Sequence, residues 1–174
     1  MTTCVVLLRG VNVGGNNRVA MADFRALLDD VGCRNVQTYL QSGNAVVVAK
    51  PTGLARRVEA ALQRELGLDV RVMVRTASEL ADVVAANPFP QRVATPKLLH
   101  VAFYDRQPEA SVIDEVGADH GNDQLVLGDR VLYLSYAGTS HDSPLVAALR
   151  RIGGVSTARN WTTVTKLLTL AQPS

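Results

Sequence analysis

The residues with most capacity for chemistry lie in three short polar segments. The first is Arg9-Gly10-Val11-Asn12-Val13-Gly14-Gly15-Asn16-Asn17. Gly14 and Gly15 allow backbone N–H groups to approach a ligand closely, and successive amides can form an anion-binding nest. Arg9 offers a bidentate contact to phosphate or carboxylate, and Asn12, Asn16 and Asn17 add donors and acceptors. The second segment is Gln41-Ser42-Gly43-Asn44. The third, Ala158-Arg159-Asn160-Trp161-Thr162-Thr163-Val164-Thr165-Lys166, carries the only tryptophan of the chain. Arg9, Asn12, Gly14, Gly15, Asn16, Ser42, Asn44, Arg159 and Trp161 are therefore the candidate ligand-binding residues, and their common chemistry is recognition of an anion. The same types also have structural uses. Asn and Gly shape long turns, Asn160 can cap a helix, and Trp161 can anchor one in a core.

Known phosphate fingerprints are absent. No Gly-Lys-Ser/Thr follows the glycines, and the G-x-G-x-x-G spacing is missing, so no cofactor is assigned. His100, His120 and His141 lack metal-ligand spacing to another His, Cys or carboxylate, and no metal is expected. His141-Asp142-Ser143 are adjacent in sequence, but a catalytic triad is a spatial arrangement, so these residues read as a loop leading into a capped helix. No catalytic residue is identified.

Two families of pattern must position these segments. Cys4–Leu8 reads as a strand, and Met21, Phe24, Leu27, Leu28 and Val31 repeat at helical spacing up to Gly32. Strands follow at 36–40 and 45–49, with Gln41–Asn44 as a hairpin turn. A helix started by Pro51-Thr52 runs to Gly67, and a strand covers 70–74. Thr76 and Glu79 form a capping-box signature for an extra helix over 77–86. The second half repeats this order. It has a strand at 98–104, a helix at 107–116, a hairpin over 124–127 and 131–136 turning at Gly128-Asp129, a helix from Ser143-Pro144 to Ile152, a strand at 155–157 and a final helix at 161–171. Val74-Arg75-Thr76-Ala77 and Val155-Ser156-Thr157-Ala158 look alike at the ends of the two halves.

The fold class is α+β, with two tandem ferredoxin-like βαββαβ halves, each followed by an extra helix. The prolines of Asn87-Pro88-Phe89-Pro90 and Pro96 mark the boundary. The first half spans 1–88, a linker 89–95 and the second half 96–174. In this motif the first two strands run the same way, and the third is expected to return between the first and the fourth. The end of strand one and the turn between strands two and three then share one end of the sheet. Arg9–Asn17 should therefore meet Gln41–Asn44. The second half lacks the glycine–asparagine loop, so any site is expected to be asymmetric. Both faces of the first sheet are apolar and should be covered. In the second half, if Leu99, Val101 and Phe103 face the helices, His100, Tyr104 and Tyr133 could form a stacking patch on the other face.

Composition sets the remaining bounds. The 174 residues are 47% hydrophobic and 20% charged, with net charge +2. That is globular, and too weakly basic to indicate a nucleic-acid face by itself. Cys4 and Cys33 form no disulfide framework and read as buried thiols in a reducing compartment. No basic leader precedes the first apolar run, and no run reaches the roughly 18 apolar residues of a membrane span. A cytoplasmic location without a membrane partner is expected.

Leu8-Arg9-Gly10-Val11-Asn12-Val13-Gly14-Gly15, Thr38-Tyr39-Leu40-Gln41-Ser42-Gly43-Asn44 and Ala158-Arg159-Asn160-Trp161-Thr162-Thr163-Val164 together resemble the signatures of a bacterial family, domain-of-unknown-function family 1697. The resemblance covers nearly the whole chain. It implies an α+β protein with ferredoxin-like halves, and transfers no activity and no catalytic residue. The leading functional expectation is binding of a phosphate-bearing ligand, a nucleotide or nucleic acid, at the Gly/Asn loops. The alternatives are an enzyme acting on a small phosphorylated or carboxylated substrate, and a structural or interaction module. The oligomeric state is open.

Overall fold

The computed structural model describes residues 1–117 and 121–172. His120 lies outside them. The first half runs β1 (Thr2–Leu8), α1 (Met21–Asp30), β2 (Arg34–Tyr39), β3 (Asn44–Ala49), α2 (Leu54–Leu66), β4 (Val72–Thr76) and α3 (Ala77–Ala85). The second runs β5 (Leu99–Tyr104), α4 (Ala110–Gly117), β6 (Gln124–Leu127), β7 (Val131–Ser135), α5 (Pro144–Leu149), β8 (Ser156–Asn160) and α6 (Trp161–Ala171). Two antiparallel four-stranded sheets result, in the orders β2-β3-β1-β4 and β6-β7-β5-β8. These are tandem ferredoxin-like halves. The expected place of the third strand is corrected: β3 lies between β2 and β1, and β1 lies between β3 and β4. Each helix crossover carries the chain past its neighbour, so the first strand of each half becomes central.

The chain divides into two compact units, Met1–Asp82 with Lys166–Ser174, and Val83–Thr165. In the first, Cys4, Val6 and Leu8 pack with Phe24, Leu27 and Leu28 of α1 and Leu54, Val58 and Leu62 of α2. Burial of such a layer is the main favourable term in folding. Val5, Leu7, Val46 and Met73 lie on the opposite face and are also buried, as the apolar sequence on both faces required. Cys4 and Cys33 are buried free thiols, and burial pushes the Cys4 thiol up to about 11.

In the second unit the faces are the reverse of the sequence expectation. Ala102, Tyr104, Leu132, Leu134 and Tyr136 pack with Ile113, Val116 and Leu145 of the helices. Leu99, Val101, Phe103 and Tyr133 occupy the other face and are buried. His100 and Tyr104 therefore cannot join Tyr133 in a stacking patch. β5 is apolar at every position but one, and that one, His100, packs edge-on against the Tyr136 ring at 5.1 Å, so the face is set by tertiary packing and not by alternation. The hairpin turn also shifts by one residue. Gly128 N–H donates to Val131 O at 2.9 Å, so Asp129-Arg130 is the turn centre, and Arg130 takes φ 52°. Gly128 serves for space instead, since a Cβ there would lie 2.8 Å from the Tyr133 ring.

Local helix signals were accurate. Thr76 and Glu79 bond reciprocally at 2.7 and 3.1 Å, Ser143 Oγ accepts from Leu145 N–H, and Asn160 Oδ1 accepts from Thr163 N–H. Two helices differ. α2 starts at Leu54 after Gly53 rather than at Pro51. α5 ends at Leu149, and the chain to Ile152 continues in i→i−3 bonds. The 90–98 segment folds as two short 3₁₀ turns, with Arg92 Nε donating to Ser135 Oγ at 3.0 Å.

The register exposes the internal repeat. Val5 pairs with Arg75 as Val101 pairs with Arg159. Both arginines are buried, and each donates from Nη1 to the preceding carbonyl, at 2.9 and 2.8 Å. Thr76 and Asn160 then cap the extra helices. Val74-Arg75-Thr76-Ala77 thus corresponds to Ala158-Arg159-Asn160-Trp161, and not to Val155–Ala158 as sequence comparison suggested. Backbone bonds repeat too: Leu8 N to Gly43 O matches Tyr104 N to Arg130 O, and Arg9 N to Arg71 O matches Asp105 N to Val155 O.

Candidate functional site

The β1–α1 loop and the β2–β3 turn meet, as the topology requires. Asn12 makes the junction. Its Nδ2 donates to Val19 O at 2.9 Å and to Gln41 O at 2.6 Å, and its Oδ1 accepts from Val19 N–H at 2.9 Å. Gly43 permits the contact. It has φ 80°, and a Cβ there would lie 2.7 Å from Leu8 Cβ and 2.7 Å from Val11 Cγ2.

The tip of the first loop is a miniature hairpin. Val13 and Asn16 form a bridge across Gly14 and Gly15, whose φ values of 61° and 78° are those of a type I′ turn. Asn17 Nδ2 donates to Gly10 O at 3.2 Å. Asn44 is fully buried and donates to Tyr39 O at 2.8 Å and Ser42 Oγ at 2.9 Å. The side chains of Asn12, Asn17, Ser42 and Asn44 thus shape the loops they stand in. Arg9, Gly14, Gly15 and Asn16 are exposed.

A cleft of ≈ 450 Å³ opens beside the junction, lined by Asn12, Gly15, Arg18, Val19, Ala20 and Gln41. That is within the roughly 300–1,000 Å³ of small-molecule sites. It sits at the start of α1, whose N-cap residue Ala20 supplies no side-chain hydrogen bond. The first amides of a helix have no intrahelical acceptor, and its dipole adds partial positive charge there. Arg18 adds a full one. The α1 first turn also carries Asp23, a partial neutraliser of the same dipole. Arg18 and Gln41 were not among the candidate residues. Arg18 follows the polar run in sequence, and only the loop closure by Asn12 brings it to the cleft with Gln41.

Arg159 and Trp161 belong to the second unit. Trp161 is buried at the first position of α6. Arg159 is buried and donates from Nη1 to Thr157 Oγ1 at 2.7 Å; burial lowers its guanidinium pKa to about 10. In that unit Gln107 repeats the tie made by Asn12. Its Nε2 donates to Gly128 O at 3.1 Å, and its Oε1 accepts from Arg130 N–H at 2.7 Å. The loop sequence is not repeated, but its fastening to the hairpin is.

Other sequence candidates take structural places. His141 is exposed in a 3₁₀ turn, while the Ser143 hydroxyl donates to the Asp123 carboxylate and caps α5. No group of three or more His, Cys, Asp or Glu residues is placed to hold a metal among the described residues. Nor is any described helix long and apolar enough to cross a membrane.

A family model described as "Protein of unknown function (DUF1697)" matches residues 1–133. The conserved bacterial protein SP0830 from Streptococcus pneumoniae superposes with TM-score 0.80 at 21% identity, over 98% of this chain and 99% of that one. At this identity the likeness shows the fold. The Sex-lethal RNA recognition domains 1 and 2 from Drosophila melanogaster align with TM-score 0.24 at 14% identity, over 91% of this chain and 99% of theirs. No curated protein matches the sequence.

Proposed function

We propose that this chain, which belongs to the DUF1697 family of proteins of unknown function, binds a phosphate-bearing ligand in the cleft before α1. One observation carries the reading: the uncapped start of α1 opens onto a cleft that also holds Arg18 and the Gly15 backbone. Helix-start amides, dipole and guanidinium all favour negative charge. Arg9, Gly14 and Asn16, exposed in the same loop, lie within the site's reach along the chain. Asn12, Ser42 and Asn44 serve it by holding the loops. Arg159 and Trp161 remain candidates for a separate role in the second unit.

Binding is favoured over catalysis by the lining itself. Asn12, Gly15, Arg18, Val19, Ala20 and Gln41 include no carboxylate, histidine, serine or cysteine to act as base or nucleophile.

The test is a thermal-shift and calorimetric titration against inorganic phosphate, phosphosugars, nucleotides and oligonucleotides. A ligand at about 100 times its Kd would stabilise the protein by about 2.7 kcal/mol. Arg18→Ala should weaken binding roughly tenfold, the equivalent of one charge-assisted hydrogen bond of about 1.5 kcal/mol. Asp23→Asn should tighten it. A protein that no anion stabilises, or whose affinity is untouched by Arg18→Ala, would remove the proposal.

A further inference from the structure

β6 is an edge strand of the second sheet, paired only with β7. One side of its backbone is unused. Gly128 N–H donates to Val131 O at 2.9 Å, which fixes the parity of the ladder. Val126 and Gln124 then exchange hydrogen bonds with Tyr133 and Ser135, and Leu125 and Leu127 take the alternate, non-bonded positions. The N–H and C=O groups of Leu125 and Leu127 therefore point away from the sheet. No hydrogen bond among the described residues reaches them. Such a row of donors and acceptors is a template for another extended strand.

Sheet edges are ordinarily blunted by charge or by a bulge. β2 has Arg34 and a register shift between Arg34 and Gln37. β4 and β8 carry Arg75 and Arg159. Of the four edge strands among the described residues, β6 alone has no charged residue. It is also apolar on both faces. Leu125 and Leu127 are half-buried against the helix-side core, and Val126 is 38% exposed on the opposite face. A matching partner strand must be uncharged and apolar on both of its own faces. β6 itself meets both conditions.

We propose that β6 pairs with β6 of a second copy of this chain, antiparallel about a two-fold axis at Val126. In this register Leu125 bonds to the partner's Leu127, and Leu127 to the partner's Leu125, through both N–H and C=O. The two Val126 side chains meet at the axis as a non-hydrogen-bonded pair, about 4.5 Å apart at Cα. The leucines cover one another on the helix side. The contact is isologous, so one surface serves both copies. Asp123 and Asp129 fall opposite each other across the junction. Asp123 is turned back into its own unit, where its carboxylate accepts from Ala137 N–H at 2.7 Å and from the Ser143 hydroxyl. Asp129 stands 3.9 Å from the Arg130 guanidinium. An edge of 4 residues makes a small interface, so the dimer is weak and forms with concentration.

The experiment is sedimentation velocity of the full chain from about 1 μM to about 1 mM, where monomer should give way to dimer. Hydrogen exchange at the Leu125 and Leu127 amides should slow in proportion to the dimer fraction. The Val126 amide, bonded within its own sheet, should be protected throughout. Val126→Lys sets two ammonium groups at the axis and should abolish association, whereas Val126→Thr, still β-branched, should keep it. Mild oxidation of Val126→Cys should trap a covalent dimer, since Cys4 and Cys33 are buried. Gln124→Cys, opposite the partner's Gly128, should not be trapped. A chain monomeric at every concentration overturns the proposal, and so does a dimer that survives Val126→Lys. Trapping through Gln124→Cys in place of Val126→Cys overturns the register. Protection of the Leu125 and Leu127 amides in the dilute monomer shows that the chain covers its own edge, and overturns the pairing. A monomer that takes an unrelated extended peptide on β6 assigns the edge to another partner and overturns the second copy.

Discussion

Replacing Asn12 separates a framework residue from a ligand residue. In Asn12→Ala three hydrogen bonds disappear, two with Val19 and one with Gln41 O. The Val19 pair is partly buried, and Val19 itself is 2% exposed, so its N–H and C=O lose their partners. At about 1 kcal/mol net for each part-buried bond, this amounts to roughly 2 kcal/mol, and the solvent-facing bond to Gln41 adds little. Asn12 also has φ 55°. Alanine pays about 1 kcal/mol in that region, whereas asparagine tolerates it. The expected loss for Asn12→Ala is therefore roughly 3 kcal/mol. Asn12→Gly removes the same bonds without the left-handed penalty and should lose about 1 kcal/mol less. Asn12→Asp keeps one acceptor for Val19 N–H but turns a carboxylate oxygen toward two carbonyls, and should also be destabilising. Urea unfolding with an unchanged m-value measures all three. If Asn12→Ala stays within about 0.5 kcal/mol of the parent, typical of a surface change, Asn12 does not hold the loops. The site would then have to be rebuilt around its side chain as a ligand contact. Should glycine prove as damaging as alanine, the backbone part of the argument fails.

Two further outcomes follow from single positions. Gly43→Ala places a methyl group 2.7 Å from both Leu8 Cβ and Val11 Cγ2 at φ 80°, so it should cost at least about 2 kcal/mol, read as a Tm several degrees lower. An unchanged Tm would mean the turn and β1 can separate freely. His100 should contribute to acid sensitivity. Burial lowers its pKa below the ordinary 6.5, against the opposing bond to Lys97 O, and His141 adds to the lowering. The unfolded chain therefore takes up the proton first as pH falls. The stabilising effect of neutral His100 is complete above pH 6.5 and is lost as pH drops from there toward the folded pKa. His100→Gln should flatten the stability profile between about pH 7 and 5; an equally steep profile in the variant would assign the acid response elsewhere.

The legible parts of this protein were those whose cause is local. The Thr76–Glu79 box, the Ser143 cap and the Asn160 cap each need one helical turn of sequence, and each is found where it was expected. The meeting of Arg9–Asn17 with Gln41–Asn44 followed from element order, since a βαββαβ chain has few ways to close its sheet. Local resemblance was less dependable. Register, and not the similarity of short segments, equated Arg75 with Arg159.

The sequence by itself determined the order of elements, the two halves and the end of the first sheet where polar loops gather. Periodicity, caps and turn residues act over a few positions and need no partner to be read. The tertiary structure decided what the individual side chains do. Asn12 reads in sequence as a donor awaiting a ligand, and its acceptors prove to be carbonyls 7 and 29 residues away. His100, Tyr104 and Tyr133 read as one exposed patch, and packing placed Tyr133 on one face of the second sheet and the other two on the opposite face. Arg18 entered the candidate site only when the loop closed around it. A side chain's role depends on the partners within hydrogen-bond distance, and in an antiparallel sheet those partners come from distant parts of the chain.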